Sequence, residues 1–216
     1  MEKESLLKDI ARQISACKSC GLYASRKHAV PGTGSAQASV LLVGEGPGFA
    51  ENEQGLPFVG ASGKFLTQLL LQGGYAREQV FITNVVKCRP PENRDPQLDE
   101  LAACADYLNR QINIIDPEII ITLGRFSMAK FFSDVRISQV HGKAKWVNDR
   151  LVVPMYHPAA ALHQPALRAV LEADFQKLPG LIEHAKELRQ QKIDKAALAV
   201  SDDNADEDDV VQLKLF

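Results

Sequence analysis

The chain has 216 residues, 45% hydrophobic and 24% charged, with a formal net charge of −2. Those proportions suit one globular domain with a sizeable core, and no apolar run is long enough to cross a bilayer. The charge averages two unlike parts: residues 201–216 carry six acids and one base, leaving 24 bases against 21 acids in residues 1–200, so the negative total does not exclude a nucleic-acid partner.

In chain order, residues 1–13 (MEKESLLKDIARQ) are charged and amphipathic, unlike a signal peptide, so a cytoplasmic protein is expected. Cys17-x-x-Cys20 closes this helical segment. Four apolar, β-branched runs then predict buried strands over Val40–Val43, Val80–Val86, Ile119–Leu123 and Leu151–Met155. They are near-continuous rather than alternating, as in a parallel sheet covered on both faces. Helices are predicted over Gly63–Gln72, over Gln97–Ile115 with Asp95-Pro96 as its cap, over Phe126–Phe132, and over Pro165–Gln190 with a break at Pro179-Gly180. The alternation predicts an α/β fold, a three-layer α/β/α sandwich with a central four-stranded parallel sheet. From Asp194 onward dense negative charge without aromatics predicts a disordered tail, dividing the chain into a domain over 1–193 and a tail over 194–216. The chain shows no internal repeat.

In such a sheet ligands sit beyond the carboxyl ends of the strands. There the sequence has Gly44-Glu45-Gly46-Pro47-Gly48, Asn84, Gly124-Arg125 and His157-Pro158. Two apparent phosphate motifs fail. Phe49 stands where a dinucleotide fingerprint needs glycine, and around Gly63-Lys64 a P-loop would need glycine at Phe58 and Ser or Thr at Phe65. The cysteines Cys17, Cys20, Cys88 and Cys104 read as metal ligands rather than disulfides; with one close pair, their spacing alone suits zinc or an iron–sulfur cluster.

Together, Gly44–Gly48, Pro57-Phe58-Val59-Gly60, Thr83–Pro91 (TNVVKCRPP), Tyr156-His157-Pro158 and the four cysteines resemble, in order and spacing, the motif set of family 4 uracil-DNA glycosylases over about residues 10–185. The resemblance implies a 4Fe–4S cluster on Cys17, Cys20, Cys88 and Cys104, and a pocket for uracil everted from DNA. Gly44, Glu45, Gly46, Glu51, Phe58, Asn84 and His157 are the expected substrate-binding residues, with His157 and Glu45 catalytic. Phe58 suits stacking, and the Asn84 amide can accept from uracil N3–H and donate to O4. His157 suits negative charge developing at O2. Glu45 is expected at the sugar and Glu51 near uracil C5, where it would crowd a thymine methyl. Pro158–Arg168 resembles a DNA-inserting loop with Leu162 as its wedge; Lys87, Arg89, Arg94 and Lys143 are candidate phosphate contacts.

The terminal Gln212-Leu213-Lys214-Leu215-Phe216 resembles the Gln-Leu-x-Leu-Phe peptide that docks on the bacterial sliding clamp. A monomer with no membrane partner is expected. Two alternatives compete with hydrolysis. A covalent uracil-DNA trap would need an Arg/His-rich insertion, but Arg89–Arg94 holds no histidine. A non-catalytic iron–sulfur DNA-binding protein would need the cysteines but not Phe58, Asn84 and His157 together.

Overall fold

A computed structural model describes residues 1–205. Its helices are α1 (Glu2–Ala16), α2 (Phe49–Gln54), α3 (Ala61–Gln72), α4 (Leu98–Ile115), α5 (Arg125–Ala129), α6 (Ile137–Val140), α7 (Pro158–His163), α8 (Pro165–Gln176) and α9 (Leu178–Ala205). Its strands are β1 (Thr33–Gly34), β2 (Val40–Gly44), β3 (Phe81–Asn84), β4 (Ile119–Leu123), β5 (Lys145–Val147) and β6 (Arg150–Met155). One six-stranded sheet runs β1-β3-β2-β4-β6-β5. The four predicted strands form its parallel centre, and the short β1 and β5 cap the two edges antiparallel.

The central strands are buried on both faces because successive side chains point to opposite sides. Val40 and Leu42 of β2, with Ile119 and Ile121 of β4, meet Leu66, Leu69 and Leu70 of α3 and Phe175 of α8. Leu41, Val43 and Ile120 face the other way, onto Leu108, Ile112 and Ile115 of α4. The chain leaves β2 for β3 on one side and returns to β4 on the other, so β2 and β4 flank a switch point in strand order. That is where a crevice opens in sheets of this kind.

Several boundaries differ from expectation. The second of the four apolar runs, Val80–Val86, leaves the regular ladder at Asn84, where Val85 and Val86 donate instead to the carbonyls of Gly44 and Glu45. Asp95-Pro96 does not cap α4. Gln97 does, its backbone N–H donating to Glu100 Oε2 at 2.8 Å, while Asp95 pairs with Arg125. The C-terminal helices part at Lys177 rather than at Pro179-Gly180. A proline ring rejects the carbonyl four residues earlier but fits a helix's first turn, so the preceding helix ends before it and the next begins around it. Finally, α9 continues to Ala205, past the Asp194 boundary of the expected disordered tail, and Gln212–Phe216 lies outside the described residues.

Candidate active site

A cavity of about 440 Å³ opens at the switch point, lined from within residues 45–62, 90–94 and 157–160 and by Asn84. The loop after β2 supplies Glu45, Gly46 and Gly48, α2 supplies Glu51, and the α2–α3 connection supplies Phe58. The end of β3 supplies Asn84, and the loop after β6 supplies His157.

Asn84 is 1% exposed, yet neither its Oδ1 nor its Nδ2 has a hydrogen-bond partner. Buried amides are almost always paired, so an unpaired one lining a cavity is a group prepared for a ligand. Gly44 makes the space: a Cβ there would fall on Asn84 Oδ1 and come within 2.8 Å of the Phe58 ring. Glycine is required by crowding at this position and not by its backbone angles.

Phe58 stands at φ 51°, in the left-handed region that costs a non-glycine residue about 1–3 kcal/mol. Its neighbours hold it there. Glu51 Oε1 accepts from the backbone N–H groups of Val59 (2.9 Å) and Gly60 (3.0 Å), and Oε2 from Gly48 (3.1 Å). Arg77 donates to the Pro57 carbonyl at 2.5 Å. Gly63 runs beneath, so close that any Cβ would strike the Phe58 backbone. The glycine that mimics a P-loop end is thus a seat for this turn. The Glu51 carboxylate lines the cavity while its oxygens hold the loop backbone.

The rings of Phe58 and His157 stack at 5.6 Å between centroids, inclined by 28°. They touch each other and form one wall, leaving no gap for a base between them. His157 Nδ1 accepts from the Ala159 backbone N–H at 3.2 Å, which assigns the ring proton to Nε2. Burial lowers its pKa to about 4, with Glu51 opposing, so the imidazole is neutral at neutral pH. Gly124, at φ 92°, passes so close that a Cβ would lie 3.2 Å from His157 Cβ. Burial raises the Glu45 carboxyl above its ordinary value, with Asp95 adding and Arg125 opposing.

Lys87 corrects an expectation: it is 1% exposed and cannot reach a phosphate. Burial draws its pKa down to about 7, and its Nζ donates to three protein oxygens. Arg94 lines the cavity mouth with its guanidinium forked onto Glu100. Arg89 lies over the Phe49 ring at 5.5 Å, Lys143 is exposed, and Leu162 of α7 is 44% exposed.

All four cysteines are free thiols and line a second, much smaller cavity of about 10 Å³. Cys88 and Cys104 are buried, and burial pushes the Cys104 thiol up to about 11. Arg26 donates to Cys88 Sγ at 3.1 Å. Among the described residues no three Cys, His, Asp or Glu side chains converge to hold a single metal ion.

The Uracil DNA glycosylase superfamily model matches residues 31–178. The Type-4 uracil-DNA glycosylase of Sulfurisphaera tokodaii is 50% identical over 182 residues, covering 80% of this chain and 83% of that protein. That of Archaeoglobus fulgidus is 46% identical over 181 residues (80% and 91%), and that of Thermotoga maritima 39% over 186 (83% and 96%). The chain belongs to the uracil DNA glycosylase superfamily and, within it, to the type-4 uracil-DNA glycosylases.

Proposed function

We propose that this chain is a monofunctional uracil-DNA glycosylase of DNA repair, everting deoxyuridine and hydrolysing its N-glycosidic bond. The observation that carries this reading beyond family membership is the unpaired Asn84 amide beside the Phe58–His157 wall. Uracil presents N3–H and O4 to such an amide, whereas cytosine offers the reverse pattern there. The base lies with one face on Phe58, and stacking of this kind is worth about 1–3 kcal/mol. As the bond from N1 to C1′ breaks, its electron pair moves onto uracil and the sugar becomes oxocarbenium-like. Neutral His157 donates Nε2–H to O2 as negative charge grows there. Water adds its oxygen to C1′ and gives up a proton, leaving free uracil and an abasic sugar. Glu45 is assigned to the sugar side, where a carboxylate favours positive charge. Glu51 holds the loop it binds and is assigned to the uracil C5 edge, where it would crowd a thymine methyl.

Arg89, Arg94 and Lys143 are assigned to phosphates, and Leu162 to the space the base vacates. One chain is taken as the active unit.

Cys17, Cys20, Cys88 and Cys104 are assigned a 4Fe–4S cluster. Four thiol donors around one cavity suit it, since thiolates are the ligands such a cluster would take. The cluster supplies a structural cross-link between these segments. Purified protein should be brown with visible sulfur-to-iron absorption; a colourless protein carrying only zinc would refute the assignment. Gln212–Phe216 is proposed to tether the enzyme to the bacterial sliding clamp, raising its local concentration on replicating DNA. Capture by the clamp that survives deletion of residues 212–216 would refute this.

Incubation with a uracil-containing oligonucleotide tests the activity. Free uracil and an alkali-labile site are expected. A stable protein–DNA crosslink would indicate the covalent trap, and no reaction a non-catalytic DNA-binding protein.

A further inference from the structure

The Asn84 side chain has no protein partner, so the placement of its amide depends on whatever fixes its backbone. Pairing of β3 with β2, Asn84 opposite Gly44, does so along the sheet, and one side chain does so from beneath. Lys87 Nζ donates to the Asn84 carbonyl at 2.8 Å, to Thr83 Oγ1 at 2.6 Å and to Gln111 Oε1 at 2.7 Å. An ammonium has three donors and no acceptor, and here it meets three acceptors. These are anchored in turn: the Thr83 hydroxyl and Gln111 Nε2 both donate to the Pro31 carbonyl, at 3.0 and 2.7 Å. The same residue also lines the cysteine cavity, next to Cys88 and alongside Cys104. Gln111 and Cys104 lie seven residues apart on α4, two turns along one face.

We infer that Lys87 is a positioning residue: its ammonium sets the Asn84 amide within the uracil cavity and joins that cavity to the cysteine-lined one. The inference rests on the proposed role of Asn84. A lysine that enclosed, adjoining a cysteine and saturated by oxygens, is not placed for DNA. It acts instead through the carbonyl it holds. Losing that hold lets the amide drift, and misplacement by about 1 Å can cost on the order of 100-fold in rate.

The test is a double-mutant cycle on the holoenzyme, Lys87→Met against Asn84→Ala, read as single-turnover uracil excision with visible absorbance measured on the same samples. Lys87→Met should slow excision by about tenfold or more in the parent and by less than about twofold in Asn84→Ala, because no amide remains there to misplace. DNA affinity and absorbance per chain should be retained. A parent rate within about twofold, an equal loss in both backgrounds, or a loss matched by vanished absorbance would each overturn it. If Lys87→Met does not fold, Thr83→Val, which removes one acceptor at nearly constant volume, decides: roughly threefold slowing confined to the Asn84 background is expected, and none overturns the inference. If Asn84→Ala itself excises at the parent rate, the base-reading role falls and takes this inference with it. A slow Asn84→Ala with an unaffected Lys87→Met overturns the lysine's part alone.

Discussion

Burying an amide with neither end paired sacrifices about 1–3 kcal/mol per group, so Asn84 is maintained at the expense of stability. Filling the cavity tests what it is kept for. Asn84→Asp should shift excision toward cytosine, and unchanged discrimination between the bases would count against edge reading. Gly44→Ala should abolish excision, because its methyl meets both the amide and the Phe58 ring, while thermal unfolding still shows a cooperative transition. His157 gives a pH prediction. Its pKa is about 4 in the folded chain and ordinarily 6.5, so between these values the unfolded chain binds more protons. Stability therefore rises with pH across that window and is lost on acidification through it, by up to about 3 kcal/mol. His157→Asn should flatten the fall in melting temperature between pH 6.5 and 4, and an unaltered slope would contradict the assigned neutral imidazole.

At the scale of elements, the parallel centre was legible because strands such as Ile119–Leu123 are apolar on both faces, and only a doubly covered sheet needs that. The edge strands were not legible. Thr33–Gly34 has two residues and Lys145–Val147 three, too short for any period to show. The strand-end residues that line the cavity, such as Asn84 and His157, could be picked out by type and position. The residues that hold them could not, because their role lies in contacts across the chain. Lys87 reads as a surface cation until its burial is seen, and Glu51 as a free carboxylate until its three backbone donors are seen. Arg77 gave no signal at all. Glu51→Ala should free the 57–60 turn, slowing excision by about tenfold or more and increasing proteolysis there, because three N–H groups lose their acceptor. Leu70→Ala, in the core between α3 and the sheet, should instead cost about 2–5 kcal/mol of stability, read by denaturant unfolding, and leave the rate of the folded fraction unchanged.

For the whole molecule, binding to DNA should weaken with salt. Replacing Arg89 or Lys143 by Ala should each reduce the slope of log affinity against log salt by about 0.7–0.9, without altering the choice of base. Lys87→Ala should show no such change in slope, since its ammonium faces inward. The same architecture that assembles the cavity also delays it. Phe58 and Asn84 come from β2, β3 and the connection between them, which holds α2 and α3, but His157 arrives only after β6, the last strand of the sheet, has docked on β4. During synthesis, a nascent chain ending short of that strand carries the aromatic surface and the amide but no imidazole. The growing polypeptide thus lacks a complete cavity until its sheet is nearly whole.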